Sequence, residues 1–187
     1  LFNTIEGGAL IFEDDSYRRD LELLRNFGIR SQDKVVLAGI NGKMSELHAS
    51  IGLLNLDLIE GEHAARQEIL DIYHVRLKDV PGITSYMDKQ NSNQYAVIRV
   101  DRDQYGISRD QLHEIMQKYN VGTRKYFYHL ASDYSFFEDL TSRAALQNVE
   151  QARLASSQVM ALPLYGRMTS KQAHKICDII EQFSVEA

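Results

Sequence analysis

The feature that most constrains the fold is a short apolar run near the start of the chain, ALIFEDD, which leaves the glycine pair Gly7-Gly8. Such a run after a glycine turn reads as a buried strand. The sequence up to Pro81 offers it no partner, because the pattern there is helical. Tyr17, Leu21, Leu24 and Phe27 recur at helical spacing from about Asp15, with Gly28 as the stop. Arg30 to Lys43 reads as a loop, with glycines at 39 and 42. Ser45 opens a helix through SELHASIGLLNLDLI. A second helix is expected from about Asp57 to Lys78, its start marked by the pair Asp57 and Glu60 and its turns by Ile69, Ile72, Tyr73 and Arg76. A lone buried strand needs a sheet. The expectation is therefore that the chain is part of a larger protein, or takes its sheet from elsewhere.

Pro81-Gly82 ends the helical part, and the composition changes. Gln94 to Asp101 (QYAVIRVD) reads as a strand, rich in β-branched residues. Ser108 to Asn120 reads as a helix with a capping box of Ser108 and Gln111. Val121 to Tyr128 is expected as a second strand, Leu146 to Ser157 as a helix, and Val159 to Leu164 as a short third strand stopped by Pro163. A last helix, Thr169 to Phe183, carries the capping box Thr169 and Gln172. This alternation predicts a compact α/β layer domain.

Composition excludes several classes of function. The 187 residues, 44% of them hydrophobic, suffice for one core, or for a small domain plus a piece of another. The net charge is −5, and Lys and Arg are scattered, the densest group being the pair Arg124 and Lys125. Nucleic-acid binders show a basic stripe instead, so no nucleic-acid partner is expected. The single cysteine, Cys177, allows no internal disulfide, and its apolar position in HKICDIIEQF reads as core packing. No apolar run reaches the roughly 20 residues of a membrane span, and LFNTIEGGAL has no signal-peptide pattern. A soluble, cytoplasmic protein is expected. The histidines at 48, 63, 74, 113, 129 and 174 lack metal-ligand spacing, and no CxxC is present, so no metal site is expected.

Three segments carry residues suited to chemistry, and each has a plainer reading beside it. Phe2-Asn3-Thr4-Ile5-Glu6-Gly7-Gly8 by itself reads as a turn before a strand. In Gly39-Ile40-Asn41-Gly42-Lys43-Met44-Ser45-Glu46-Leu47, a glycine-flanked Asn and Lys precede a helix start, which suits an anion; a simple N-cap at Ser45 with a solvated lysine is the other reading. In Gly122-Thr123-Arg124-Lys125-Tyr126-Phe127-Tyr128-His129, Arg interleaves with aromatic residues. Arginine forks suit phosphate oxygens, while a half-buried strand with a basic edge would show the same pattern.

Taken together, FNTIEGG at 2–8, LLRNFG at 23–28, NGKMSELHASIGLLNL at 41–56, GTRKYFY at 122–128 and LPLY at 162–165 resemble, in order and spacing, the DegT/DnrJ/EryC1/StrS family of sugar-nucleotide aminotransferases. The resemblance spans the whole chain and implies the C-terminal part of a fold-type-I pyridoxal-phosphate transferase, mixed α/β. Residues 1–58 would complete the large cofactor-binding domain. Residues 59–187 would supply an interdomain helix and a small α/β domain. It further implies transamination of a nucleotide-linked keto sugar, with pyridoxal 5'-phosphate as cofactor and glutamate as amino donor, in cell-surface polysaccharide or deoxyamino-sugar biosynthesis. Active sites would be shared across a homodimer.

The family's Schiff-base lysine, placed six residues before the EGG glutamate, would fall just before Leu1. A truncated enzyme and a sequence interrupted at a cofactor-bearing lysine are both compatible with this. By the same resemblance Asn41 would reach the cofactor phosphate of the neighbouring subunit, Lys43 would pair with substrate or cofactor phosphate, and Arg124 and Tyr126 would line the nucleotide-sugar cleft. His129-Leu130 departs from the Pro-Leu found in many members, which bears on sugar specificity. The rival readings are a non-catalytic or regulatory homologue that lacks the lysine, and a stand-alone binding module.

Overall fold

The computed structural model describes residues 1–87, 92–135 and 149–184. The chain divides into two compact units, Phe2–Glu60 and Gly61–Ala187, the latter grouped with Leu1.

In the first unit the expected strand does not form. Residues 9–12 join no ladder, and Leu10 and Ile11 are 74% and 96% exposed. Strand N–H and C=O groups need a neighbouring ladder, and no described segment of this unit supplies one. A 3-10 turn, Asp15–Tyr17, is capped by the Asp14 carboxylate, which accepts from the Ser16 N–H at 2.9 Å. It leads into α1, Arg18–Arg25. Phe27 (φ 58°) and Gly28 (φ 71°) then take left-handed conformations, and the Gly28 N–H bonds the Leu23 carbonyl at 2.7 Å. A Cβ at Gly28 would run into the Leu37 carbonyl, so the position requires glycine.

The segment after Gly28 is more ordered than a loop. β1, Ile29–Ser31, pairs antiparallel with β2, Lys34–Val35. The strands are too short to show a period-two pattern in sequence.

The two helices expected on either side of Asp57 are one, α2, Glu46–Leu77. Asp57 and Glu60 lie inside it and cap nothing. No proline interrupts the stretch, and the interior glycines Gly52 and Gly61 each cost only about 1 kcal/mol relative to alanine. At the start of α2 the Ser45 hydroxyl accepts from the His48 N–H at 3.3 Å, as a capping residue should.

The second unit is built on a four-stranded antiparallel sheet of order β3-β4-β6-β5, comprising β3 (Ile83–Ser85), β4 (Ala96–Val100), β5 (Arg124–Lys125) and β6 (Val159–Leu162). β4 alternates buried and half-buried residues, and Ile98 faces Met160 across the β4–β6 ladder. Three helices follow as expected or nearly so. α4 (Arg109–Lys118) and α6 (Ser170–Gln182) have both reciprocal bonds of their capping boxes, Ser108 with Gln111 and Thr169 with Gln172. α5 spans Glu150–Gln158; the expected start at Leu146 lies outside the described residues. A short α3, Arg102–Tyr105, and β3 were not anticipated. β5 is much shorter than the expected strand from Val121 to Tyr128. Phe127 (φ 45°) and His129 (φ 68°) turn left-handed and end the extended run.

The core lies between one sheet face and the helices. It gathers Ile69, Leu70, Tyr73 and Leu77 of α2, Ile98 and Met160 of the sheet, Leu112 and Met116 of α4, and Ile176, Cys177 and Ile180 of α6. Its buried phenols are satisfied: Tyr73 donates to the Pro163 carbonyl at 3.0 Å and Tyr105 to the Ile180 carbonyl at 2.6 Å. Cys177 packs in this core as its position suggested, and burial pushes its thiol pKa up to about 12. Among the described residues no helix is long and apolar enough to cross a membrane.

Candidate functional site

Asn41 and Lys43 sit on the segment that runs into the first turn of α2. Asn41 pairs with Asn26 in an isolated antiparallel bridge, which fastens the loop to the C-terminal end of α1. The Lys43 ammonium donates to the Asn26 side-chain oxygen at 3.0 Å and stands 4.3 Å from the centre of the Phe27 ring. A lysine held by a neutral amide and a ring face keeps its charge uncompensated. Among the described residues Lys43 has no carboxylate partner, and the Asn41 carboxamide makes no hydrogen bond. Asn26 thus organises both residues. Its partners lie 15 and 17 positions away in sequence, so pattern reading could not connect them, although the phrase LLRNFG contains it.

Arg124 and Tyr126 belong to the other unit, at the β5 edge of the sheet and the turn that follows it. Arg124 faces Ala161 of β6, and its exposed guanidinium has no partner among the described residues. The Tyr126 ring meets Tyr95 edge-on at 5.1 Å and Phe127 at 4.3 Å. Thr123 is held from below, its hydroxyl 2.6 Å from the His113 ring nitrogen of α4.

The support under this turn is a charge cluster that sequence reasoning missed. Arg109, only 1% exposed, donates through Nη1 to the carbonyls of Ser156 and Val159 at 3.0 and 2.6 Å, and through Nε to Asp110 at 2.7 Å. Lys125 reaches the same Asp110 oxygen at 2.8 Å. Both cations lie 5.0 Å from the centre of the Tyr128 ring. Burial pushes the Asp110 carboxyl pKa up, but the hydrogen bonds from Lys125 and Arg109 outweigh it and leave the group below its ordinary value. The one signal available in the sequence was the Arg124-Lys125 pair.

Comparison with known proteins identifies the family. The profile of the DegT/DnrJ/EryC1/StrS aminotransferase family matches residues 1–181, and the chain belongs to that family. It is 38% identical over 178 residues to the dTDP-4-amino-4,6-dideoxy-D-glucose transaminase of Escherichia coli, covering 94% of this chain and 47% of the relative. It is 29% identical over 185 residues to the Shigella dysenteriae transaminase of the same name, covering 97% and 49%. The chain spans about half the length of the curated relatives it matches. Among solved structures, DesI in the presence of its TDP-sugar product superposes with a TM-score of 0.82 at 27% identity, over 97% of this chain and 46% of DesI. The Helicobacter pylori aminotransferase PseC shares the fold, with a TM-score of 0.77 at 18% identity over 91% of this chain and 47% of PseC. The fold is that of part of an aminotransferase of this family.

Proposed function

We propose that the protein transfers an amino group to the keto carbon of a nucleotide-linked sugar, with pyridoxal phosphate as cofactor and glutamate as donor. In this reading residues 1–58 complete the cofactor-binding domain and residues 59–187 form the bridging helix and small domain. The observation that carries the reading is the Asn41–Lys43 segment. It presents a carboxamide and an ammonium, neither bonded to a carboxylate among the described residues, where the chain enters α2. That donor set fits a phosphate ester and fits a cation poorly. The relatives supply the reaction class, since the E. coli and S. dysenteriae proteins are named as transaminases of a dTDP-linked aminosugar.

Bound there, pyridoxal phosphate would supply an electron sink for moving the amino group. The chain's own residues hold and orient. Asn41 would donate to the cofactor phosphate of a neighbouring subunit, and Lys43 would supply counter-charge to a phosphate of cofactor or substrate. On the second unit, Arg124 and Tyr126, the latter packed on Tyr95, would line the nucleotide-sugar cleft. A cytoplasmic homodimer serving polysaccharide or deoxyamino-sugar synthesis is the setting consistent with this chemistry.

The test uses the intact natural protein. Its mass and visible spectrum are recorded first, and then the 4-keto counterpart of the relatives' aminosugar is supplied with nitrogen-labelled glutamate. A cofactor band that glutamate bleaches, and label appearing in the sugar, are expected. An intact protein that shows neither band nor label transfer would end the reading.

A further inference from the structure

The turn that leaves β5 holds its shape against its own backbone preference. Phe127 (φ 45°) and His129 (φ 68°) are both left-handed without being glycine, and Tyr128 lies between them. Such conformations persist only where the surrounding structure holds them. Here α4 and α5 supply the hold. The Ser156 hydroxyl of α5 donates to the Phe127 carbonyl at 3.3 Å. The Asp133 carboxylate, paired with Arg153 of α5 at 2.8 Å, accepts from the Leu130 N–H at 3.3 Å. From α4, the buried Arg109 donates to the Ser156 carbonyl at 3.0 Å, so one residue of α5 ties the guanidinium to the turn. The Nη2 of Arg109 is buried with no hydrogen-bond partner among the described residues, and the guanidinium carbon stands 5.0 Å from the centre of the Tyr128 ring. The Lys125 ammonium stands at the same distance from that ring. A ring face compensates a desolvated cation that lacks an acceptor. Among the described residues the Tyr128 phenol makes no hydrogen bond, so the ring and not the hydroxyl carries the contact. The same turn presents aromatic groups outward. Phe127 is 74% exposed, and the Tyr126 ring leans on it and on Tyr95. Rings held in place before a ligand arrives spare the cost of ordering them on binding.

We propose that Arg109 and Tyr128 are positioning residues for the amination of the sugar. The Tyr128 ring, gripped by two cations, fixes the turn so that Tyr126 meets the nucleotide-linked sugar in its productive orientation. This rests on the functional reading above. Neither residue touches the substrate; both act through Tyr126.

The experiment uses the intact, cofactor-loaded protein and follows its two half-reactions separately: bleaching of the cofactor band by glutamate, and amination of the 4-keto counterpart of the relatives' aminosugar. Tyr128→Leu removes the ring face and should lower kcat/KM for the keto sugar roughly ten- to a hundred-fold, the scale of a misplaced contact. Its bleaching by glutamate should be unchanged. Tyr128→Phe keeps the ring face and should recover most of the loss. Arg109→Met should lose a similar factor, and the double variant with Tyr128→Leu little more than either, because the two residues act as one unit. Where Arg109→Met does not fold, the two Tyr128 variants decide. A loss in Tyr128→Phe equal to that in Tyr128→Leu would make the phenol a substrate contact and overturn the positioning role. Equal kcat/KM in wild type and Tyr128→Leu, or a loss shared equally by the glutamate step, overturns it too. These outcomes leave the functional reading standing, whereas a wild type that aminates no keto sugar removes that reading and this proposal with it.

Discussion

The two units solve the folding problem differently. Gly61–Ala187 encloses Tyr73, Ile98, Leu112, Met160 and Ile180 at 0% exposure, beneath a sheet whose strands all find partners in the unit. Phe2–Glu60 buries only Gly28 and Gly52, while Ile11, Leu53 and Leu58 stand 96%, 66% and 61% exposed. Its shape is set by local devices: the left-handed turn at Phe27 and Gly28, the Asn26–Asn41 bridge, and the Asn55 amide donating to the Asn3 carbonyl at 2.8 Å. Two stretches of similar apolar content therefore differ because one closes a four-stranded sheet over its core, whereas the other has only the short β1–β2 hairpin. The candidate residues inherit that difference. Arg124 and Tyr126 ride on a packed layer, whereas Asn41 and Lys43 ride on turns and amide bonds.

The sharpest way to break this comparison is to remove equal apolar bulk from each unit. Ile98→Ala should cost about 3 kcal/mol, through lost burial plus the cavity left behind. Leu53→Ala should stay within about 0.5 kcal/mol, as surface substitutions do. Urea unfolding of the chain followed by circular dichroism measures both. A Leu53→Ala cost as large as that of Ile98→Ala would mean the first unit has a hydrophobic core after all.

The charged residues sharpen it next. Arg109→Met strips the donor from the Ser156 and Val159 carbonyls and one of two cations from Asp110, which should cost about 2 kcal/mol. Lys43→Met removes an exposed charge held by a neutral amide and a ring face, and should change stability by less than about 0.5 kcal/mol. Denaturation midpoints decide between these. A stability loss at Lys43 equal to that at Arg109 would make Lys43 a structural residue rather than a binding one.

What could be read in advance follows the same division by range. The capping boxes at Ser108 and Thr169, the strand around Ile98 and the core place of Cys177 were legible because each is written in neighbouring residues. The continuity of α2 was not, since Asp57 and Glu60 have the chemistry of a cap, and only the uninterrupted helical backbone shows that no helix starts there. β3 and the hairpin of β1 and β2 are two or three residues long, and their pairing partners define them. At the candidate site, the phrases around Asn41, Lys43, Arg124 and Tyr126 could be recognised. The residues that hold them, Asn26 and Arg109, could not, because their contacts span 15 to 50 positions.

The smallest expected effect concerns pH. The folded Asp110 carboxyl titrates below its ordinary value, against the opposing push of burial, because Lys125 and Arg109 both donate to it. A carboxyl depressed in the folded state binds fewer protons than in the unfolded chain. Its contribution is therefore present above the unfolded value of about 3.9 and is lost as pH falls through the folded value. The side chain is 46% exposed, so solvent screening holds the contribution to about 1 kcal/mol or less. Wild type should be more stable than Asp110→Asn near neutrality, and the gap should close below about pH 4. The bond from Lys43 to the Asn26 amide has no titrating acceptor, so Asn26→Ala should differ from wild type by the same amount across that window. If the Asn26→Ala gap also closed in acid, a carboxylate would have to be acting on the first unit, and the contrast between a charge-braced turn and an amide-braced loop would fail.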